Sequence, residues 1–200
     1  MASSKEQTTS ALHPIFYQCC GERNGRYEIS HPFRYDGYIY ATDGHTAVRT
    51  RDRGQDVPNL ERVPPMETLD WQVDIYQPEP FAWPRLPESS IVTCEECQGF
   101  GEVTCNMGHE HECPCCGGAT EIGHQRVLDF GAFALKEKRV RMLVSYGARL
   151  YLHRARPDRR PARFTIGDDI EGLVMVADPG SAPDDVVRVP QQAEVKHGSE

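Results

Sequence analysis

No stretch of the chain approaches the ~20 consecutive apolar residues that a bilayer-crossing helix needs, so a membrane span is not expected. The N-terminus, Met1-Ala2-Ser3-Ser4-Lys5-Glu6-Gln7, lacks the apolar run of a secretion leader, and a cytoplasmic protein is expected. Apolar residues are few. They make up 38% of the 200 residues, below the ~45–50% of ordinary globular chains. That supply builds one core and leaves the rest to polar loops and tails. Basic residues are also in deficit, 22 against 30 acidic ones, and the net charge of -8 excludes a simple basic coat for nucleic acid. No glycine-rich phosphate loop is present, and no nucleophile is paired with a base.

Eight cysteines stand out against this background. In the cytoplasm disulfides are disfavoured, so clustered cysteines point to metal. Cys94-x2-Cys97 and Cys113-x2-Cys116 are separated by fifteen residues, the spacing of a four-cysteine zinc site. Four thiolates suit tetrahedral zinc and close its coordination shell, so a single Zn2+ there is structural rather than catalytic. Glycines after each knuckle, Gly99 and Gly101 then Gly117 and Gly118, allow the backbone to turn tightly around sulfur. So small and polar a segment has no core of its own, and metal binding supplies its folding energy. Cys105, His109, His111 and Cys115 lie beside the knuckles as alternative ligands or bystanders, and the vicinal pair Cys19-Cys20 is assigned to core packing.

Around this segment the pattern is α+β. Ser10 is placed as the cap of a short helix carrying Leu12, Ile15, Phe16 and Cys19 on one face. Strands are expected at 27–30, 38–41 and 46–49, joined through Asp36-Gly37 and Asp43-Gly44, whose glycines supply the positive φ of hairpin turns. Residues 52–90, rich in proline and acid, read as a long excursion with one strand at 71–76 and with Trp71 and Trp83 pinning it to the core. A strand at 126–130 and a helix at 134–145 follow, the helix with Leu135, Val140, Leu143 and Val144 inward and Gly147 as its stop. Strands at 149–153, 163–166 and 172–176 complete a second meander, with turns at Pro157-Asp158 and Gly167-Asp168-Asp169. The domain reading is therefore a disordered N-terminus (1–9), a first helix-plus-antiparallel-meander unit with its long loop (10–90), a zinc ribbon insertion (91–122), a second such unit (123–178) and a flexible tail (179–200).

Two resemblances are carried by short strings. Cys94-Glu95-Glu96-Cys97-Gln98-Gly99-Phe100-Gly101 resembles the Cys-x-x-Cys-x-Gly-x-Gly repeat of the DnaJ cysteine-rich domain, and Cys113-Pro114-Cys115-Cys116-Gly117-Gly118-Ala119-Thr120 matches it except at Thr120. That family has four repeats and a J domain; this chain has two repeats and none, so the resemblance implies a ribbon-like module and protein contact. Tyr38-Ile39-Tyr40-Ala41-Thr42-Asp43-Gly44-His45 is similar to the strand-turn motif of bacterial DNA polymerase sliding clamps (β clamps). Pro161-Ala162-Arg163-Phe164 and Glu171-Gly172-Leu173-Val174-Met175-Val176 resemble the last two strands of a clamp domain. The combination is also similar to uncharacterised bacteriophage products. What the clamp resemblance implies is a single clamp-like domain, with basic residues on a DNA-facing helix and, since a clamp subunit has three domains, a homo-oligomer if a ring forms.

The candidate DNA contacts are accordingly Lys136, Lys138, Arg139 and Arg141 on the second helix. Other arginines crowd the same region, Arg149, Arg154, Arg156, Arg159, Arg160 and Arg163, and read as solvated faces. Two carboxylate groupings, Asp43 with His45 and Asp168-Asp169 with Glu171, are candidates for a metal-dependent hydrolase, although acids in Gly-Asp-Asp are ordinarily turn formers. The expectation is a non-enzymatic zinc protein with a clamp-like domain, acting on DNA or on replication and transcription proteins. The alternative is a protein-protein adaptor or inhibitor that does not bind DNA.

Overall fold

The protein is described by a computed structural model, which covers residues 11–21, 26–89, 92–98, 100, 102–104, 110–113, 121–122, 126–178 and 186–190. It is mostly antiparallel sheet with few helices. In chain order the first elements are α1 (Ile15–Gln18), β1 (Phe33–Tyr35), β2 (Tyr38–Thr42) and β3 (Thr46–Arg51). The cysteine-rich region contributes β4 (Val92–Thr93), β5 (Glu102–Thr104), β6 (Glu110–Glu112) and β7 (Glu121–Ile122). Then come β8 (Val127–Asp129), β9 (Ala134–Lys136), α2 (Glu137–Ser145), β10 (Arg149–Tyr151), β11 (Ala162–Ile166), β12 (Ile170–Val174) and β13 (Val186–Arg188). Two compact units share the chain, and the division falls inside α2. One unit runs to Ala82 and resumes at Leu143–Val176; the other takes Trp83–Met142 and the chain from Ala177 on.

The first unit is a six-stranded sheet in the order β1-β2-β3-β12-β11-β10, every neighbour antiparallel. Asp36 and Gly37 both take positive φ, 44° and 74°, the geometry of a primed turn that matches the twist of the flanking strands. This is the tight turn the sequence predicts. The β2–β3 turn is closed by the Asp43 carboxylate, whose Oδ1 accepts from the His45 and Thr46 amides at 2.9 and 2.7 Å. Alternate residues then face one side: Ile39, Ala41, Val48, Leu150, Phe164 and Val174 are all buried. Onto β2 and β3 packs α1, with Ile15 and Phe16 buried. Cys19 is buried as expected of a packing residue, and Cys20 donates from sulfur to the Phe16 carbonyl at 3.2 Å while burial pushes its thiol up to about 11.

Gly172 sits in a central strand because the Phe164 ring lies across it. A Cβ built there would meet Phe164 Cζ at 2.1 Å and the Ala47 carbonyl oxygen at 2.7 Å. Since backbone as well as a buried ring must give way, Gly172→Ala is expected to cost about 1–3 kcal/mol or somewhat more. Urea unfolding checks this: the midpoint falls at an unchanged slope, and an unchanged midpoint contradicts the account.

Several elements differ from expectation. The strand placed at 27–30 is irregular, its amides and carbonyls bonded to loops (Gly21 N to Ile29 O, 2.9 Å; Glu28 N to Arg62 O, 2.8 Å). Pro32, which has no amide proton to give a ladder, precedes the real first strand. Residues 71–76 form no strand; Tyr76 makes an isolated bridge to His153, and Pro78 and Pro80 stop any ladder beyond it. The helix placed at 134–145 begins at Glu137, because Ala134–Lys136 pairs with β8. Gly131, at φ 84°, turns that hairpin, with its amide held by Asp129 Oδ1 at 2.8 Å. Val144 is exposed rather than inward, whereas Gly147, at φ 64°, ends the helix as predicted. Within the stretch expected as a tail, β13 pairs in parallel with β8. Ser10 lies outside the described residues. Trp71 does pin its loop, packing on a cluster of Phe33, Tyr40, Ala47 and Met66 and donating from Nε1 to the Met66 carbonyl at 3.2 Å. Trp83 meets Phe130 edge-on at 6.0 Å in the second unit. Among the described residues no helix is long and apolar enough to cross a membrane.

Candidate functional site

The cysteine segment is tied at its base by β4 pairing with β7, Val92 opposite Ile122 and Thr93 opposite Glu121. Cys94 follows β4 directly. A turn at 95–98 then brings Cys97 back, with Gln98 at φ 51° and the Phe100 amide donating to the Cys97 carbonyl at 2.9 Å. β5 and β6 form a hairpin, and Cys113 immediately follows β6. Val103, on β5, packs against the sulfurs.

The result is three buried thiols, Cys94, Cys97 and Cys113, whose Sγ atoms all lie within 4.8 Å of one another. Cys94 Sγ and Cys113 Sγ are 3.7 Å apart. A disulfide needs ~2.05 Å, so this pair is not bonded. A tetrahedron with metal–sulfur bonds of ~2.3 Å has edges of about 3.8 Å. The sulfur spacing thus fits a shared metal ion, and three close cysteines can hold one. The fourth expected ligand, Cys116, lies outside the described residues, as do Cys105, His109 and Cys115. His111 sits exposed on β6 opposite Val103 and is not part of the described cluster.

Next to this segment in sequence is a feature that sequence reasoning missed. Glu137, at the start of α2, is 1% exposed. Arg126 Nε donates to its Oε2 at 2.8 Å and Arg141 Nε to its Oε1 at 2.7 Å. The same two guanidiniums reach the backbone before the insertion, Arg126 to the Glu88 carbonyl and Arg141 to the Pro87 carbonyl. Chain entering the cysteine segment is thereby fastened to chain leaving it. The available signal was an acid four residues before an arginine in a helix, Glu137 and Arg141, but nothing in the sequence marks that acid as buried.

The four candidate DNA contacts are placed unequally. Lys136 ends β9 and is exposed, Lys138 is exposed, and Arg139 is half-buried. Arg141 is engaged with Glu137 and Pro87. Three of the hydrolase candidates are also engaged: Asp43 closes its turn, Asp169 pairs with Arg53 at 2.6 Å, and Glu171 lies between Arg49 and Arg163 at 2.7 and 3.1 Å. They do not converge with His45 on a shared point.

A groove in the first unit is lined in part by residues of the Tyr38–His45 string. Thr42, Gly44 and His45 form one rim, Met66 and Leu69 another, and Leu173 and Met175 a third. It encloses about 260 Å3 and its walls are largely apolar. Thr46, whose buried Oγ1 has no hydrogen-bond partner among the described residues, is one of the lining residues. Met175 is 46% exposed at its mouth. The sequence signalled this site only through the Thr42–His45 string; the 64–69 segment arrives from the long excursion, for which periodicity gives no position. No protein-family model, curated protein or solved structure matches the chain.

Proposed function

We propose that this is a non-enzymatic, zinc-stabilised interaction protein. In this reading a domain of clamp-like plan holds a short apolar segment of a replication or transcription protein, and the cysteine segment is a structural ribbon. The groove beside Thr42–His45 carries the functional part: an apolar, concave surface with one unsatisfied hydroxyl at its wall is the form of a site that takes side chains from a partner. The clamp-like plan is supported by the sheet. In chain order α1 precedes β1-β2-β3 and α2 precedes β10-β11-β12, and the third strands of the two sets, β3 and β12, pair at the centre. For the ribbon, Cys116 supplies the fourth thiolate, and a closed four-sulfur shell leaves zinc no position for water. Engagement of Asp43, Asp169 and Glu171 in turn and ion-pair roles supports an activity of positioning rather than hydrolysis. A second reading, DNA contact through α2, is favoured by the exposure of Lys138.

Selection from a library of short random peptides tests the groove. The expected result is enrichment of peptides with closely spaced apolar residues, whose binding weakens at least ~10-fold in Met175→Asp, a loss typical of an anchor contact. Val73→Asp, at a residue 60% exposed and outside the groove, should bind as wild type. No enrichment, or equal binding by Met175→Asp, contradicts the proposal.

A further inference from the structure

One face of the six-stranded sheet is buried and apolar; the other is covered over Phe33, Tyr40 and Ala47 by the segment carrying Met66 and Trp71, and beyond that cover it is unusually cationic for a chain of net charge -8. Register places the charges. Arg149 lies opposite Thr165, Thr165 opposite Glu171, and Glu171 opposite Arg49, so all four share a face. Arg51 and Arg163, each two residues along a strand from a member of that row, face the same way. Four arginines against one glutamate therefore stand on the strands of this face. Tyr38, opposite Arg51, and Tyr151, opposite Arg163, are interleaved with them.

Internal pairing explains only part of this. Arg49 is held by Glu171 and lies over the rings of Trp71 and Tyr38 at 4.0 and 4.7 Å. Arg163 shares the same carboxylate, and its Nε, buried, has no acceptor among the described residues. Arg51 is exposed over the Tyr38 ring at 5.5 Å, and Arg149 is exposed on the edge strand. Neither pairs with a carboxylate among the described residues. A cleft of about 290 Å3 opens here, lined by Arg49, Arg51, Arg53 and Arg163 and by the acids Asp168, Asp169 and Glu171, of which Asp169 pairs with Arg53 and Glu171 with Arg49 and Arg163.

We infer that this sheet face binds single-stranded nucleic acid, its arginines meeting phosphates and Tyr151 and Tyr38 offering their rings to unstacked bases. The uncovered part of this face, where guanidinium and aromatic groups alternate, is suited to a flexible strand, since every base has a face to stack and every nucleotide a phosphate. A duplex keeps its bases stacked and gains nothing from the tyrosines. The inference goes beyond the groove and does not depend on it; it also places nucleic acid on a different surface from α2.

The test is fluorescence anisotropy of the zinc-loaded full chain with a labelled oligothymidylate of about 12 nucleotides, within the range one small domain covers, and with a duplex of equal length. Wild type should prefer the single strand and lose affinity as salt rises. Arg51→Gln/Arg149→Gln, which breaks no ion pair among the described residues, should weaken binding at least ~10-fold. It should also flatten the log–log salt slope by about 1.4, two phosphates at ~0.7 each. Tyr151→Ala should weaken the single strand about 5-fold or more and leave the duplex unchanged. Lys138→Gln/Arg139→Gln should bind as wild type. The inference is overturned by tighter duplex binding, by a loss that follows Lys138 and Arg139 instead, or by no salt-sensitive binding in wild type. The last outcome leaves the peptide groove standing, because that site is read by a separate assay.

Discussion

Cys94→Ser is expected to remove stoichiometric zinc from the protein while the six-stranded sheet stays folded. Cys94 is fully buried, and its sulfur lies 3.7 Å from that of Cys113, the length of a tetrahedral edge around one ion. Serine keeps the shape but offers a hard oxygen where a soft thiolate sat. Loss of outer-shell partners alone costs 10–100-fold in metal affinity, so loss of a direct ligand should cost more than ~100-fold. Among the described residues Val103 is what packs against the cysteines, so the order of the segment is expected to depend on the metal. Hydrogen exchange should rise across 94–113 and at β4 and β7, and stay unchanged in β2, β3, β11 and β12. Equal zinc content in the variant would remove Cys94 from the ligand set.

Glu137→Ala should have the second largest effect, this time on stability. The carboxylate is 1% exposed and accepts from two guanidiniums, and removing one partner of a buried ion pair leaves uncompensated charge at a cost of about 3–5 kcal/mol. At ~2–4 °C per kcal/mol for a chain of this size, the thermal midpoint of the unit should fall by roughly 10 °C. Because Arg126 and Arg141 also hold the Glu88 and Pro87 carbonyls, the base of the cysteine segment should loosen with it. Replacing all three side chains by Arg126→Met, Glu137→Leu and Arg141→Met should recover most of the loss, since apolar substitution of a whole triad is often neutral. A fall of 2 °C or less in Glu137→Ala contradicts this role.

How much of this was legible in the sequence depends on whether the signal was local. Turn chemistry was: Asp36, Gly37, Gly44, Gly147 and Gly167 all take positive φ in the turns their sequence marked. Knuckle spacing was too, and Cys94, Cys97 and Cys113 meet as their pattern indicated. What failed was arbitration between equal local fits. Leu135 suits a helical face as well as a strand, and only pairing with Leu128 across the Gly131 turn decides it. Val186–Arg188 has no periodicity to read in three residues; its parallel partner β8 lies far away in sequence. The Glu137 triad and the arginine face depend on burial and register, which composition does not encode. Arg49 and Glu171 are 122 residues apart and meet only because β3 and β12 are neighbours.

The central claim is that the paired knuckles close around one metal ion. Native mass spectrometry of the purified chain, with metal analysis of the same sample, measures this directly. The account predicts one zinc per chain, lost together with secondary structure of the cysteine segment on chelation and regained on readdition. A metal-free protein whose Cys94, Cys97 and Cys113 remain packed and reduced without zinc would contradict it.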